Sequence, residues 1–423
     1  MAVWLATLLA ISSVSATDDQ LPLTVRMLAR NLDSPELARR DAAEKSLLEL
    51  GPAVLDHLPR VTARTSPEMK VRLERIRVAL QRRAANEAVQ PSLVTLTAKQ
   101  KPIEEVLAEI EKQSGNRLVD FRARFGQVPR SKLIDLDVSE KPFWEVFDQV
   151  ADAAGLAVYG YPGEANLLAY VNQTEQTLPR NGRACYVGPF RVEATEIAAM
   201  RQLRNINGGS LRLNIEIAWE PRITPISLQQ SLNHIEAVGL EGETIPVEGR
   251  AGSLEAIPQR GSSAVSVNIP FVLPDRGTRR IASLTGKFTA MVPGRVEKFE
   301  FESPSDAEDA LQRKGSVAVV LRRMRKNLEV YEARLSVRFD DAATALESHR
   351  GWVEDNSAYL IDGDGERIEP AAFEQTSRSA NELGVAYVFP ISELTDDHVL
   401  VYETPAAIIK RDFDYELKNI DLP

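Results

Sequence analysis

The residues of this chain that could do chemistry are scattered along it. The acidic run that most suggests a site is Asp362-Gly363-Asp364-Gly365-Glu366. A calcium loop needs oxygen ligands at alternate positions and a closing glutamate further along, and this run has too few acids for that. Asp-Gly between two apolar stretches is typical of a hairpin turn. We therefore expect a turn at this position and not a calcium site.

Histidine and cysteine are equally sparse. The histidines show no HxxxH or HxH spacing and lie far apart, at His57, His234, His349 and His398. A metal site assembled from distant loops is the alternative that this spacing leaves open. The single cysteine, Cys185, precludes an intramolecular disulfide, and its apolar neighbours predict a small buried hydrophobic residue. A nucleophilic role would need a histidine partner that the sequence does not identify.

Motifs for nucleophilic catalysis and for nucleotide binding are missing from the sequence. It contains no G-x-S-x-G elbow and no dinucleotide fingerprint. Gly286-Lys287 lacks the upstream glycine of a phosphate loop, and we expect Ser283–Lys287 to form a turn into a strand at Phe288–Met291. The sequence therefore predicts no catalytic, cofactor-binding or metal-ligating residues and no cofactor. A hydrolase with an unfamiliar site is the remaining enzymatic alternative.

Three tryptophans could instead recognise a ligand, because exposed aromatic rings stack on sugars. Trp219 continues the inward alternation of a strand, and Trp144 follows Phe143 on a buried helix face. These positions favour core or domain-contact roles. Trp352, in Arg350-Gly351-Trp352 near a turn, is the least explained of the three.

Charge and the N-terminus limit the compartment and the partners. The formal net charge of -10 argues against nucleic acid, which needs a basic surface. The apolar run Val3–Val14 is shorter than the ~20 residues that span a bilayer, and Val14-Ser15-Ala16 offers a cleavage site. We expect residues 1–16 to be an export signal and the mature protein to be periplasmic or secreted, without a transmembrane segment. A fortuitously apolar terminus is the alternative.

Residues 22–89 are predicted to be helical. Ser34-Pro35-Glu36 and Ser66-Pro67-Glu68 have the form of helix starts, and Gly51 of a helix end. The stretch Arg39–Pro59 resembles the HEAT-like repeats of exported bacterial proteins. The basic residues on the last helix predict a solvated face, with docking to an acidic partner or a membrane as the alternative: Lys70, Arg72, Arg75, Arg77, Arg82 and Arg83.

Two similar stretches follow, KPIEEVLAEIEKQSG from Lys101 and KPFWEVFDQVADAAG from Lys141. Apolar residues at i, i+3, i+4 and i+7 in each predict an amphipathic helix that ends at a glycine. Short apolar stretches flank both helices. We therefore predict a βαββαβ two-layer sandwich over residues 92–161, in which two like halves share one sheet.

The order of these features resembles the secretin and TonB short N-terminal domain, from about Ser92 to Tyr161. The resemblance lies in the strand, the KP-x-x-EV helix start and the second half that closes in AAGLAVYGY. It implies a protein-docking module of the bacterial envelope without catalytic residues. The chain has no pore-forming segment after this region, which departs from secretins and transporters.

The remaining sequence alternates as β-strands do. LRLNIEIAW, ending at Trp219, and YEARLSVRF, ending at Phe339, place apolar residues on one side. Ordered correspondences link Gly188 to Gly315, Gly242 to Gly365 and Phe299 to Phe413. They predict a duplication: two tandem antiparallel β-sandwich domains over 185–303 and 314–418, with immunoglobulin-like topology.

The predicted fold class is therefore a multidomain α+β protein. The predicted function is that of an exported, non-enzymatic protein-binding or scaffold protein of the cell envelope, with an envelope protein as partner. Carbohydrate or cell-wall recognition by the paired sandwiches is the alternative, and an aromatic platform on a sandwich surface would favour it.

Overall fold

The structure is a computed structural model that describes residues 20–59, 61–62, 64–129, 132–164, 166–173, 180, 182–204, 208–259, 261–315, 317–339, 353, 356–379 and 382–423. The expected export signal at 1–16, His349 and Trp352 lie outside these ranges. Two compact units divide the chain, Met1–Arg83 and Ala84–Pro423. The elements are mainly strands, with few helices, and the fold is a multidomain α+β arrangement.

The first unit is helical. It contains α1 (Leu21–Asn31), α2 (Leu37–Glu49), a 3-10 turn (Pro52–His57) and the start of α3 (Pro67–Ala88). Ser66 caps α3, because its Oγ accepts a hydrogen bond of 3.2 Å from the backbone N–H of Met69. The helices bury one apolar stripe each in a common core, formed by Val25, Leu32, Ala43, Leu47, Val54, Leu58, Leu73, Ile76 and Leu80.

The basic face of α3 differs from the expectation of a solvated face. Arg72 is only 6% exposed, and its guanidinium lies 2.6 Å from Glu44 of α2 and 2.7 Å from Glu68. Arg75 also reaches Glu44, at 3.1 Å. Arg72 and Arg75 therefore hold α3 to α2 through ion pairs, and the buried Arg72 needs such partners to offset its lost hydration.

An α/β module opens the second unit. Its elements are β1 (Leu93–Pro102), α4 (Ile103–Ser114), β2 (Leu118–Asp120), β3 (Leu133–Pro142), α5 (Phe143–Ala154), β4 (Leu156–Tyr159) and β5 (Leu168–Asn172). Both helices end as predicted at a left-handed glycine, with φ of 69° at Gly115 and 70° at Gly155.

The module has two sheets and not the single shared sheet that the sequence predicted. β1 pairs with β3 in one sheet, and β5 lies between β2 and β4 in the other. Both helices contact both sheets, and the core contains Leu96 and Ile134 from the first sheet and Leu156 and Leu168 from the second. The helices bury more apolar surface than one two-stranded sheet covers, so a second sheet packs on them. The module extends beyond the predicted range 92–161, to Asn172.

The likeness of the two halves extends to the backbone. In the β1–β3 pair, Leu93 faces Pro142 and Pro102 faces Leu133, which are equivalent positions of the halves. Gln100 and Glu140 both have φ of 50° at an irregularity of their strands. A side chain of the opposite strand binds each strained backbone N–H at 2.9 Å: Asp135 Oδ1 for Gln100, and Thr95 Oγ1 for Glu140.

The rest of the second unit is β-structure. The strands are β6 (Cys185–Val187), β7 (Phe190–Arg201), β8 (Gly209–Trp219), β9 (Ser227–Ser231), β10 (Glu236–Gly239), β11 (Ser253–Ala256), β12 (Ala264–Phe271), β13 (Arg280–Glu302), β14 (Glu308–Lys314), β15 (Val317–Asn327), β16 (Val330–Phe339), β17 (Ala358–Ile361), β18 (Arg367–Ile368), β19 (Ala372–Arg378), β20 (Glu382–Phe389) and β21 (Val399–Asp421). They form a four-stranded sheet (β12-β8-β7-β6), a five-stranded sheet (β14-β15-β16-β20-β19) and a seven-stranded sheet (β11-β9-β13-β21-β17-β18, with β10 on β13).

The seven-stranded sheet serves two cores. The first β-core joins the four-stranded sheet to the early half of β13, from Ile281 to Val292, and the late half of β21, from Phe413 to Leu417. The second β-core joins the five-stranded sheet to Phe299 and Phe301 of β13 and to Leu400 and Tyr402 of β21.

The predicted boundaries 185–303 and 314–418 are therefore wrong as borders of tandem domains. β13 and β21 pair along their whole lengths, and each crosses from one core to the other. Their alternation predicts which face is buried but not which core each half enters, since that depends on pairing between distant strands. The result is a reciprocal exchange of strand halves between the two β-cores.

The two halves of this region agree in detail. The order β6-β7-β8-β12 matches β14-β15-β16-β20. A register shift follows the fourth residue after Phe190 in β7, and another follows the fourth residue after Val317 in β15. Phe271 and Phe389 end the equivalent strands β12 and β20, and both are fully buried.

Candidate functional site

The acidic run at 362–366 forms the predicted turn. It joins β17 to β18, with Gly365 at φ 83°. The Asp362 carboxylate points back into the turn, where its Oδ1 accepts hydrogen bonds from the backbone N–H groups of Asp364 (3.0 Å) and Glu366 (2.9 Å). Asp362 Oδ1, an oxygen that a cation would use as a ligand, is thus engaged in stabilising the turn.

The described histidines do not converge. His398 forms a local hydrogen bond, in which its Nδ1 lies 2.8 Å from Thr395 Oγ1. His57 lies in the first unit and His234 follows β9 in the second. Within the described ranges, no three His, Cys, Asp or Glu side chains are grouped so that they could hold a metal ion.

Cys185 and the Gly286-Lys287 pair have structural roles. Cys185 is half-buried against the first β-core, and burial raises the pKa of its thiol, which favours the unreactive protonated form. Ser283–Lys287 lies inside β13, so the predicted turn is wrong. Gly286 makes room for Tyr415, because a Cβ at this position would lie 2.4 Å from the ring carbon Cζ.

One cleft of about 360 Å³ does collect groups suited to hydrolysis. Its lining includes His234, Asp412, Ser231, Ser253 and Lys287. Asp412, however, accepts a bond of 2.7 Å from Thr289, and Ser253 accepts one of 3.1 Å from Gln229. The hydrogen bonds of the described residues do not join His234 to a serine or to Asp412, so a nucleophile–base–acid chain is not assembled.

Both tryptophans that the structure describes are buried, Trp144 to 1% and Trp219 to 2% exposure. Trp219 lies in the first β-core, and Trp144 lies in the core of the α/β module. Trp144 also contacts the β-structure, since its Nε1–H donates to the carbonyl oxygen of Pro189 at 3.2 Å. They therefore have the predicted core and domain-contact roles and form no exposed aromatic platform.

Around Trp144 lies the densest group of buried charges in the described chain, which we call the α5 junction. Asp148 of α5 and Arg191 of β7 form an ion pair of 3.0 Å with 0% and 1% of their side chains exposed. Arg191 also reaches Glu216 of β8 at 2.9 Å, and its guanidinium lies 4.5 Å from the Trp144 ring centroid. Tyr186 donates its hydroxyl hydrogen bond to Asp148 at 3.0 Å.

The electrostatics of the α5 junction indicate that the Asp148–Arg191 ion pair has a structural role. Burial raises the pKa of Asp148, and the nearby Arg191 and Arg180 charges oppose that rise. Burial also raises the pKa of Glu193, which forms an ion pair of 3.1 Å with Arg180. Perturbed carboxyl groups are typical of active sites, but a substrate cannot reach Asp148 at 0% exposure.

A second network fixes the other side of the module. Glu220 follows β8, is 1% exposed and accepts hydrogen bonds from Ser92 Oγ (2.6 Å), Asn116 Nδ2 (3.1 Å) and Arg222 Nε (2.6 Å). Ser92 precedes β1 and Asn116 follows α4, so this network ties the first half of the module to the residues that follow β8.

Sequence reasoning missed both networks, although a signal was present. α5 carries Trp144, Asp148 and Ala151 on a second buried face, where α4 has the exposed Glu104, the exposed Ala108 and the half-buried Glu111. The difference between two otherwise similar helices marks the one that packs on a further partner.

The fold is thus of a mostly β, multidomain α+β class. The chain matches no protein-family model, no curated protein and no solved structure. In the described ranges, every helix is too short or too polar to cross a membrane.

Proposed function

We propose that this chain is an exported, non-enzymatic protein-binding or scaffold protein of the bacterial cell envelope. The observation that carries the proposal is the asymmetric use of the α/β module. Its α5 half is buried against the first β-core, while the outer face of the β1–β3 sheet stays exposed. A module held in this way presents one surface to a partner.

That surface, which we call the outer module face, has a definite chemistry. Strand alternation exposes Leu93, Thr95 and Thr97 on β1 and Leu133, Asp135 and Asp137 on β3. The exposed Lys99 continues the alternation of β1, so acidic and basic side chains share this face. Leu93 and Leu133 lie at opposite ends of the β1–β3 pair. We expect a partner that spans the sheet between them and pairs with its mixed charges, and binding that weakens as salt rises.

The resemblance to the secretin and TonB short N-terminal domain belongs to the same proposal. The repeated halves support it, with their equivalent strained residues Gln100 and Glu140. Export through residues 1–16 is the expectation that places the protein in the periplasm or outside the cell. We further assign the two β-cores to immunoglobulin-like sandwiches in the broad sense of two antiparallel sheets over one core. Their strand order is not that of immunoglobulin domains, whose two sheets have the orders ABED and CFG, because β6, β7 and β8 are neighbours in sequence order.

The test is capture of a partner from envelope extract by the full chain, immobilised through a tag. The bait variant combines Leu93→Asp with Leu133→Asp on the outer module face, and the control is Leu328→Asp, a leucine that is 88% exposed elsewhere. We expect the wild type and the control to retain the same protein and the double variant to retain at least tenfold less. Equal retention by all three baits would move recognition to another surface.

Carbohydrate recognition is the second candidate, and the cleft of about 360 Å³ is the observation that favours it. Its lining is rich in hydroxyl and amide groups, such as Gln229, Ser231, Ser253 and Thr289. These groups suit the hydroxyls of a sugar, although the buried tryptophans do not contribute. Calorimetry with soluble cell-wall oligosaccharides, on the wild type and on Gln229→Ala, tests it. The absence of saturable heat would reject it.

A further inference from the structure

A different cleft, of about 340 Å³, lies at one end of the first β-core. It is formed by the end of β7, the start of β8, the loop after β12 and the residues after β21. Its apolar wall consists of Leu211, Leu273, Pro274 and Leu422. Leu211 is 1% exposed and belongs to the first β-core, and Leu273 and Leu422 pack on that core, so the wall is part of the fold.

Three arginines line the same cleft: Arg201, Arg276 and Arg279. Arg201 is positioned by the backbone, because its Nη2 donates to the carbonyl oxygen of Pro274 at 2.7 Å. Neither Arg276 nor Arg279 forms an ion pair with a carboxylate of the described residues, and both side chains are exposed. A guanidinium group stays charged at any physiological pH, so the three groups repel each other until an anion binds.

This arrangement differs from two other groups of arginines in the described chain. In the first unit, Arg75 lies 3.1 Å from Glu44, and in the α5 junction Arg191 lies 3.0 Å from Asp148. The chain as a whole carries a net charge of -10. A local group of unpaired guanidinium groups beside an apolar wall therefore stands out as an anion-attracting site.

We propose that this cleft binds a small amphiphilic anion: a carboxylate or phosphate head group on a short aliphatic chain. The head group takes bidentate hydrogen bonds from Arg276 and Arg279, and the chain lies along Leu211, Leu273 and Leu422. The volume is at the lower end of the roughly 300–1,000 Å³ of ligand pockets, which suits a ligand of this size. The site is independent of the outer module face.

The test is isothermal titration calorimetry of the full chain at low ionic strength with octanoate and with octyl phosphate. Acetate and inorganic phosphate serve as probes without a tail, and octyl glucoside as a probe without charge. The variant is Arg276→Ala with Arg279→Ala, and the control is Arg250→Ala, another exposed arginine of the same region. Melting temperatures of all three proteins show whether each variant keeps the fold.

We expect one octanoate or octyl phosphate to bind per chain, and the preferred one identifies the head group. Affinity should fall at least tenfold in the double variant, since charge-assisted hydrogen bonds are lost, and should be unchanged in Arg250→Ala. Absence of saturable binding by both probes would overturn the proposal. That is the outcome if Asp275, which also lines the cleft, neutralises the arginines. Equal binding of octyl glucoside, or of the double variant, would overturn it as well.

Discussion

Phe288 and Phe413 lie directly opposite each other on β13 and β21, and their rings stack with centroids 5.4 Å apart. Phe288 precedes the strands of the five-stranded sheet in the chain and Phe413 follows them, yet both are in the first β-core. Phe299 and Tyr402 repeat the relationship in the second β-core, where they face each other on the same two strands. β13 and β21 thus each contribute residues to both β-cores.

The first prediction concerns the cooperativity of the two β-cores. Phe299→Ala removes a fully buried ring from the second β-core and should cost about 3–5 kcal/mol of unfolding free energy. Because β13 and β21 run through both cores, we expect a single urea transition in which the fluorescence of Trp219, in the first β-core, shifts to the same lower midpoint. Leu328→Ala is the exposed control and should change stability by less than about 0.5 kcal/mol. Two separate transitions in Phe299→Ala would contradict the exchange.

The second prediction concerns the α5 junction. Arg191→Met leaves the buried Asp148 and the partly exposed Glu216 without their cation and should cost about 3–5 kcal/mol. Adding Asp148→Leu removes one of the abandoned charges, so the double variant should recover much of that loss. Urea unfolding monitored by tryptophan fluorescence measures both variants, with Arg250→Met as the exposed control. A double variant no more stable than Arg191→Met would show that the pair is not coupled.

A third prediction follows from Glu382 on β20. The hydroxyl of Ser336 donates to its carboxylate, and Arg322 forms an ion pair with it at 3.1 Å, so the pKa of Glu382 is lowered. A carboxyl group whose pKa is lower in the folded state stabilises the fold above its unfolded pKa and loses this effect as pH falls. We expect Glu382→Gln to cost less than about 1 kcal/mol near pH 7, because the pair is partly exposed, and to cost less at pH 3 than at pH 7. Melting temperatures at the two pH values give the comparison, and an equal loss at both would exclude this origin.

The fourth prediction tests the close contact at Gly286. Gly286→Ala places a Cβ against the buried Tyr415 ring and should cost about 1–3 kcal/mol through overpacking. Gly277→Ala is a matched control, because a Cβ there meets nothing within 4 Å. Thermal unfolding compares the two variants. Equal melting temperatures would mean that the Tyr415 ring moves aside freely.

The fifth prediction concerns the strained backbone at Glu140, which has φ of 50°. Glycine adopts this conformation without strain, so Glu140→Gly should be neutral or stabilise the fold by up to about 1 kcal/mol. Glu140→Val should destabilise it, because β-branched residues avoid positive φ. Chemical denaturation ranks the three proteins, and the valine variant should have the lowest midpoint. A midpoint for Glu140→Val above that of Glu140→Gly would show that the positive φ at residue 140 does not determine stability at this position.

The sequence predicts the features that depend on residues close together in the chain, and it does not predict those that depend on contacts between distant segments. Repeated spacing predicted α4 and α5, their glycine ends and the alternation of β8 and β16, because these features depend on neighbouring residues. The separate sheets of the α/β module could not be predicted, since β5 takes its place between β2 and β4 only through tertiary packing. The exchange of strand halves is hidden for the same reason. Asp148 and Arg191 look like ordinary charged residues until the fold brings them together.

The return of β21 to the first β-core has a consequence for biosynthesis. β21, which carries Phe413, Tyr415 and Leu417, is synthesised after all the other described strands of the two β-cores. The apolar side chains of the first strands therefore stay uncovered until β21 has been made. A chain cut short by a premature stop within β21 would therefore expose apolar surface more than a hundred residues upstream of the break. Such fragments should be recognised readily by chaperones and proteases, which would limit the accumulation of incomplete products.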